Sequence, residues 1–437
     1  MYFSIPDTTE ISAKRSTEQY AYTLYNIHIN GLHHCSLRYS QLRIFNAELQ
    51  RILPNLMQHV QPFPPKKLFR LSSRDIEERQ MLLERYLQSI IQHKSLICSS
   101  YFNEFFFNAQ RETYLNALAD RTIPDKINFT VYFLNNHEII IENLSLHDTL
   151  SKLFELCANN IQLTHEYFSY FALFLYKFHD NQLNLIRPLF SFESPYISLK
   201  QAQKLNETSC LVLKKSYWDV TYDLKLLDNP CTQNLLFLQC QYDIQQSEEF
   251  DSDDIHKQLN ILRDNKQFKD YILLARTSTF SGYLFLRQCT IHDVTNENMS
   301  PCLLAIGNNE LICYYLNEEK KNSFLKEINF KVTRIRCWKV NWTKSDLNIT
   351  FEYLIRKNTL QWVTIHTVQA ALVSTCLQSM VDEILMKRID SSELIVHESM
   401  KNDRSKTNGS LATRTKSDLE RLNNNELFDK GGDDDDL

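Results

Sequence analysis

The sequence predicts an α+β multidomain protein. Three observations carry the prediction. The chain has 437 residues, more than one hydrophobic core usually organises, so two to four domains are expected. Hydrophobic residues make up 43% and aromatics 12%, which supports packed cores along most of the length. Period-2 alternation and helical spacing both recur, until the last ~50 residues turn polar and acidic.

Composition also excludes function classes. The six glycines stand at positions 31, 282, 307, 409, 431 and 432, so no Walker loop, no Gly-x-Gly-x-x-Gly and no nucleophile elbow can form. Eleven cysteines without a Cys-x-x-Cys pair suit reduced, buried thiols better than disulfides or a zinc site. The thirteen histidines contain no His-Glu-x-x-His, and neighbours such as His33 and His34 point to alternate faces on a strand. No cofactor, metal or catalytic residue is therefore expected, and the chain reads as a non-enzyme. From Ile389 onward there are 12 acids and 7 bases, net −5, which is the whole-chain value. Residues 1–112 carry 13 bases against 10 acids, too slight an excess for a nucleic-acid-binding face. No apolar run reaches the ~20 residues of a membrane span, and Met1 to Pro6 lack the features of a signal peptide. The expected location is the cytoplasm.

In chain order, residues 20–38 alternate, with Asn30-Gly31 as the turn of a β-hairpin. The second strand runs through Leu37-Arg38-Tyr39 into Ser40, expected to cap a helix carrying Leu42, Phe45, Leu49 and Ile52. That helix stops at Pro54. The turn Phe63-Pro64-Pro65-Lys66-Lys67-Leu68-Phe69 presents two lysines between aromatic rings; alone, it reads first as a solvated basic loop and only second as a membrane foot. Ser72 and Asp75 form a capping box for a helix with Arg79, Leu83, Tyr86 and Leu87. An aromatic helix over Tyr101 to Phe107 closes the unit.

A hairpin, a helix, a Pro-Pro-Lys loop and the pattern Arg79-x-x-x-Leu83-Glu84-x-Tyr86-Leu87 resemble a PX (phox homology) phosphoinositide-binding domain. With Met1 to Pro6, Tyr25 to His28 and Arg38 to Leu42, the chain is similar to the PX-FERM sorting nexin family of endosomal cargo adaptors. That resemblance implies a site for phosphatidylinositol 3-phosphate. Arg38 would grip the 3-phosphate, Tyr39 would stack under the inositol ring, Lys66 would meet the 1-phosphate and Arg79 the ring hydroxyls, with Ser40 completing the motif. Lys67 is left for general attraction to anionic membrane, and Leu68-Phe69 for core closure or shallow insertion. Guanidinium forks and lysine point charges are suited to such phosphates.

The rest of the chain fits a FERM-like module. Phe129 to Leu134 and Glu138 to Ile141 predict a second hairpin, followed by a helix over Asp148 to Ala158 and a buried strand over Tyr170 to Tyr176. This is a ubiquitin-like F1 lobe; some such lobes bind small GTPases, and no motif here assigns one. Lys214-Lys215-Ser216-Tyr217-Trp218-Asp219 opens a stretch expected to be helical to about Ala275, interrupted by an acidic loop at Ser247 to Asp254; the resemblance makes it a shortened F2 lobe. Strands are expected over Tyr283 to Cys289, Cys302 to Ile306, Leu311 to Leu316, Phe330 to Val340, Ile349 to Ile355 and Leu360 to Ile365. A helix over Val368 to Lys387 then completes a PTB/PH-like F3 lobe. Such folds take peptides by strand addition between a sheet edge and that helix.

Alternation places Arg334, Arg336 and Trp338 on one face, opposite Ile335 and Cys337. Trp338 is then either an inward core residue or part of a peptide site. The resemblance makes Trp338 and Leu354 contacts for receptor tails carrying Asn-Pro-x-Tyr or Asn-x-x-Tyr, and geometry adds Arg336, Leu377 and Met380. The final Asp434, Asp435, Asp436 and Leu437 resemble the family's terminus, through which the Retriever/Commander recycling complex is engaged, although Gly431 stands where an isoleucine is expected. The expected division is 1–112 PX domain, 113–205 F1, 206–275 F2, 276–388 F3 and 389–437 disordered acidic tail. The function implied is an adaptor peripheral to early endosome membranes that promotes receptor recycling. The alternatives are a branch of the family without Retriever coupling and a cytoskeletal FERM scaffold.

Overall fold

The first lobe is a three-stranded antiparallel meander of β1 (Phe3–Arg15), β2 (Glu18–Ile29) and β3 (Leu32–Arg38). In the computed structural model, the described residues are 1–15, 18–67, 71–118, 126–179, 182–247, 253–292, 299–316, 324–342, 346–356 and 358–403. The expected hairpin is β2–β3, turned by Asn30 (φ 47°) and Gly31 (φ 81°); strand β1 adds to it. Five helices follow: α1 (Tyr39–Ile52), α2 (Pro54–Met57), α3 (Ser73–Ile90), α4 (Lys94–Ile97) and α5 (Ser100–Leu118). Ser72 caps α3 reciprocally with Asp75, as its spacing predicts. Phe3, Ile27, Phe45, Leu83, Tyr86, Phe102 and Phe106 form the core between sheet and helices.

The second lobe contains β4 (Ile127–Tyr132), β5 (Glu138–Leu144), α6 (Leu150–Asn160), β6 (Phe171–His179), β7 (Gln182–Pro188), α7 (Pro195–Leu205) and β8 (Ser209–Lys215). Their sheet order is β5-β4-β8-β6-β7, with β4 and β8 parallel, a ubiquitin-like arrangement. Lys214 and Lys215 therefore end a strand and do not open a helical stretch. Cys210 to Leu213 are buried on both faces in the middle of the sheet, so no alternation marks them in the sequence. Helices α8 (Asp223–Leu226), α9 (Pro230–Ser247), α10 (Asp253–Asp264) and α11 (Phe268–Ala275) form the third part, and its Leu236, Phe237, Cys240 and Ile272 share a core with the second lobe. Residues 248–252 of the expected acidic loop lie outside the described residues.

The last lobe is a seven-stranded antiparallel sheet. Its strands are β9 (Leu284–His292), β10 (Met299–Gly307), β11 (Glu310–Leu316), β12 (Phe324–Lys331), β13 (Ile335–Trp342), β14 (Leu347–Arg356) and β15 (Thr359–His366), in the order β12-β11-β10-β9-β15-β14-β13. The single strand expected over Phe330 to Val340 is two strands at opposite ends of the sheet, separated by a helical turn at Val332–Arg334. Phe330 nevertheless meets Phe351 and Tyr353 at 5.1 Å between centroids, so the sheet folds over on itself. Helix α12 (Ala370–Asp403) closes it. It extends past Arg388, where disorder was expected to begin. No glycine or proline interrupts the sequence between Val368 and Lys406, so no residue there breaks the helix.

Residues 1–383 form one compact unit, and the described residues from 384 on belong to a second. Within the first, the PX-type lobe and the last lobe touch directly. Asn30 donates to Thr375 Oγ1 at 3.0 Å, and the Trp342 ring stacks on Tyr2 at 6.2 Å. That ring also lies so close to Gly31 that an added Cβ would stand 2.7 Å from it.

Candidate functional site

The residues expected to hold lipid lie where β3 becomes α1. Arg38 is the residue that caps α1, in extended conformation, with its backbone N–H bonded to the Gln41 side chain at 2.9 Å. Ser40 was expected in that role but lies exposed in the first helical turn, because the strand ends two residues earlier. The Arg38 guanidinium sits 3.4 Å from the Tyr22 ring centroid, a contact foreshadowed only by the side-by-side pairing of β2 and β3. Tyr39 ties three elements together. Its hydroxyl donates to the Pro64 carbonyl at 2.8 Å, its ring lies 5.4 Å from that of Phe63, and the Arg79 guanidinium of α3 covers it at 4.3 Å.

Arg79 is buried, which is costly for a cation without a partner. Burial pushes the neighbouring Tyr25 hydroxyl up, and the Arg79 charge opposes that rise. Among the described residues no carboxylate is paired with Arg38, Lys66 or Arg79. Lys66, two residues after Tyr39's partner Pro64, is exposed. Lys67 differs: it bridges Asp75 and Glu78 (2.9 Å to the latter), and its ammonium holds Asp75 well below the usual carboxylate range. Two acids thus offset the charge that was expected to attract membrane. Leu68 and Phe69 lie outside the described residues.

The residues expected to take cargo lie where β13, a terminal strand of its sheet, meets the start of α12. Trp338 is half-buried there, and its indole N–H donates to Ser374 Oγ at 3.0 Å. Ser374 is a partner that the sequence did not signal. The face expected for Trp338 is corrected by the register. Ile335 opposes Tyr353 and Cys337 opposes Glu352, so Arg336 is a bulge residue. Trp338 consequently shares its side with Ile335, Val340 and the buried Ile349 and Phe351, while Arg334 belongs to the preceding turn. Arg336 forms an ion pair of 2.5 Å with Glu352.

Leu354 opposes Leu360 on β15, and strand alternation from Phe351 places it on the opposite face from Trp338. Leu377 and Met380 are fully buried in α12, so they are core residues and present no surface to a peptide. Asp434, Asp435, Asp436 and Leu437 lie outside the described residues. Among the described residues no three or more His, Cys, Asp or Glu side chains are grouped to hold a metal ion, and no helix is long and apolar enough to cross a membrane.

Comparison with known proteins covers the chain in sequence. Residues 25–109 match the PX domain model, 127–218 the F1 lobe of the sorting nexin 17/27/31 FERM domain, and 219–278 the F2 lobe of the sorting nexin 17/31 FERM domain. Residues 282–385 match the Sorting Nexin 17 FERM C-terminal domain. Sorting nexin-17 of Danio rerio is 34% identical over 413 residues, covering 90% of this chain and 83% of that protein. The Homo sapiens protein of the same name is 34% identical over 414 residues, with the same coverage. Sorting nexin-31 of Homo sapiens is 30% identical over 403 residues, 89% of this chain and 86% of that one. With its PX lobe, three FERM lobes and this likeness along nine-tenths of its length, the chain belongs to the sorting nexins that join a PX domain to a FERM module, a family of non-enzymatic adaptors.

Proposed function

We propose that this protein is an endosomal sorting adaptor that binds phosphatidylinositol 3-phosphate through its PX domain and Asn-Pro-x-Tyr or Asn-x-x-Tyr receptor tails through its F3 lobe. On this reading it passes the cargo to Retriever/Commander through Asp434 to Leu437, at the cytoplasmic face of early endosomes. The observation that carries the reading is a set of three cations: Arg79 on the Tyr39 ring, Arg38 on the Tyr22 ring and Lys66 two residues after Pro64, the partner of the Tyr39 hydroxyl. Arg38, Lys66 and Arg79 are left without carboxylate partners among the described residues, while the adjacent Lys67 is fully paired. Unpaired guanidinium groups over an aromatic ring suit a phosphorylated ring headgroup, which brings phosphate for the charges and a flat face for the tyrosine. The cargo half is supported by Trp338, half-buried between the terminal strand β13 and α12, where a peptide could add as a further strand.

Flotation of the full chain on vesicles with and without phosphatidylinositol 3-phosphate tests the lipid half. Wild type should float only with the phosphorylated lipid, and Arg38→Ala should lose most of that binding. Equal flotation of both proteins would overturn the assignment. Deletion of Asp433 to Leu437 should abolish capture of Retriever; unchanged capture would favour the branch of the family lacking that coupling.

A further inference from the structure

Phe174 and Tyr176 of β6 stand on one face of the F1 sheet, where the register sets Ala172 beside Lys214 of β8 and Tyr176 beside Leu185 of β7. That face meets Leu372 of α12 and Ile97 of the PX lobe around a cavity of about 400 Å³. Three lobes thus contribute to its wall, and junctions between lobes are where ligand pockets of ~300–1,000 Å³ preferentially form. Exposed Cys98, Ser191 and Gln378 at its rim leave it open to solvent. None of the lipid or cargo residues takes part in it.

The charged side chains of the lining balance. Lys214 and Lys215 are consecutive on β8, so they leave opposite faces of the sheet. Lys215 lies 5.1 Å from the Tyr217 ring centroid, with Asp223, Asp243 and Glu383 among its charge neighbours. Asp243, which also offsets Lys214, faces Arg276 at 3.6 Å. Asp382, the remaining acid of the lining, is paired with Lys94 at 3.6 Å. A charged ligand would bring a charge that no group in the lining is left to offset, and burying it would be costly. Lys214 makes no side-chain hydrogen bond among the described residues; its ammonium stands 5.0 Å from the Phe174 ring centroid. It can therefore donate to a neutral acceptor without giving up an existing bond.

We infer that this cavity binds an uncharged amphiphile, a molecule with an apolar body and one hydroxyl or carbonyl oxygen, whose body lies along Phe174, Leu185 and Leu372 while the oxygen accepts from Lys214. An apolar cavity of ~150 Å³ holds a benzene ring, so this one admits a chain on the order of ten carbons. A ligand that binds only the folded chain raises its unfolding temperature.

Calorimetric titration of the full chain with decanol, decanoate and decylammonium, each below its solubility or micelle limit, tests the inference. Decanol should bind at least tenfold more tightly than either ion and should raise the unfolding temperature. Ala172→Phe, which places a ring in the cavity, should lower decanol affinity at least tenfold. Lys214→Met, which keeps an unbranched side chain and removes its donor, should lower it about tenfold, the scale of a hydrogen bond to a charged group. Absence of decanol binding, binding of either ion as tight as that of decanol, or unchanged decanol affinity in either variant would overturn the inference. Should Ala172→Phe fail to fold, Lys214→Met decides alone, because unchanged affinity there removes the contact that orients the ligand.

Discussion

The Arg79 guanidinium covers the Tyr39 ring at 4.3 Å, while the Tyr39 hydroxyl is held by the Pro64 carbonyl at 2.8 Å. One stacked pair therefore joins the start of α1, the proline turn and α3. Lysine cannot reproduce a planar group lying on a ring. Arg79→Lys should weaken binding to phosphatidylinositol 3-phosphate vesicles by about tenfold, the scale of one charge-assisted contact, in a flotation assay. Binding equal to wild type would remove Arg79 from the site.

The two adjacent lysines of the turn should behave differently. Lys66 is exposed and unpaired among the described residues, whereas Lys67 is engaged by Asp75 and Glu78. Lys66→Ala should reduce vesicle binding severalfold and Lys67→Ala should change it little, measured side by side at one salt concentration because exposed charges are screened. The reverse order would contradict the assignment.

Arg187 and Glu193 make a buried bidentate pair at 2.7 Å for both bonds, and Glu193 also accepts from Ser198 at 2.6 Å. The Arg187 charge holds the Glu193 carboxyl below its usual value, against the burial that pushes it up. The adjacent Phe192 inserts into the PX core, 5.4 Å from the Phe102 ring. Glu193→Gln leaves Arg187 uncompensated and should cost about 3–5 kcal/mol in chemical unfolding. Arg187→Met combined with Glu193→Leu should be less destabilised than Glu193→Gln alone.

Stability should fall in mild acid. Burial among Phe106 and Phe192 holds His34 at about 4, below its ordinary 6.5, and its ring nitrogen faces the Phe106 carbonyl at 3.2 Å. Burial also lowers His33 to about 4. Between those values the unfolded chain binds more protons than the folded one. The stability present above pH 6.5 is thus lost as the pH falls towards 4, by up to ~3 kcal/mol for His34. Urea unfolding at pH 7.5, 6.0 and 5.0 should show this decline, and His34→Phe should flatten a large part of it. An unchanged slope in that variant would rule out His34 as the source.

Most of the PX lobe's fold was legible because its signals are local: Asn30-Gly31 for the turn and Ser72 with Asp75 for the cap; the roles of Arg38, Tyr39, Lys66 and Arg79 rest on the family resemblance. The errors have local causes as well. Strand β1 carries Pro6 at an irregularity between Ser4 and Asp7, which obscures its alternation. The strand ending in Lys214 and Lys215 was hidden by burial on both faces. A bulge at Arg336 reversed the face assigned to Trp338, since one extra residue exchanges the two sides of a strand. Pairings such as Trp338 with Ser374 and Asn30 with Thr375 join distant segments, and nothing in a single sequence marks them.

The central claim is that one chain holds membrane lipid and receptor tail together. It is tested most directly by flotation of a fluorescent Asn-Pro-x-Tyr peptide on phosphatidylinositol 3-phosphate vesicles in the presence of the full protein. Wild type should carry the peptide to the vesicles. Arg38→Ala should leave both protein and peptide behind, and Trp338→Ala should float without the peptide. Peptide carried equally by Trp338→Ala, or recruited equally to vesicles lacking the phosphorylated lipid, would contradict the account.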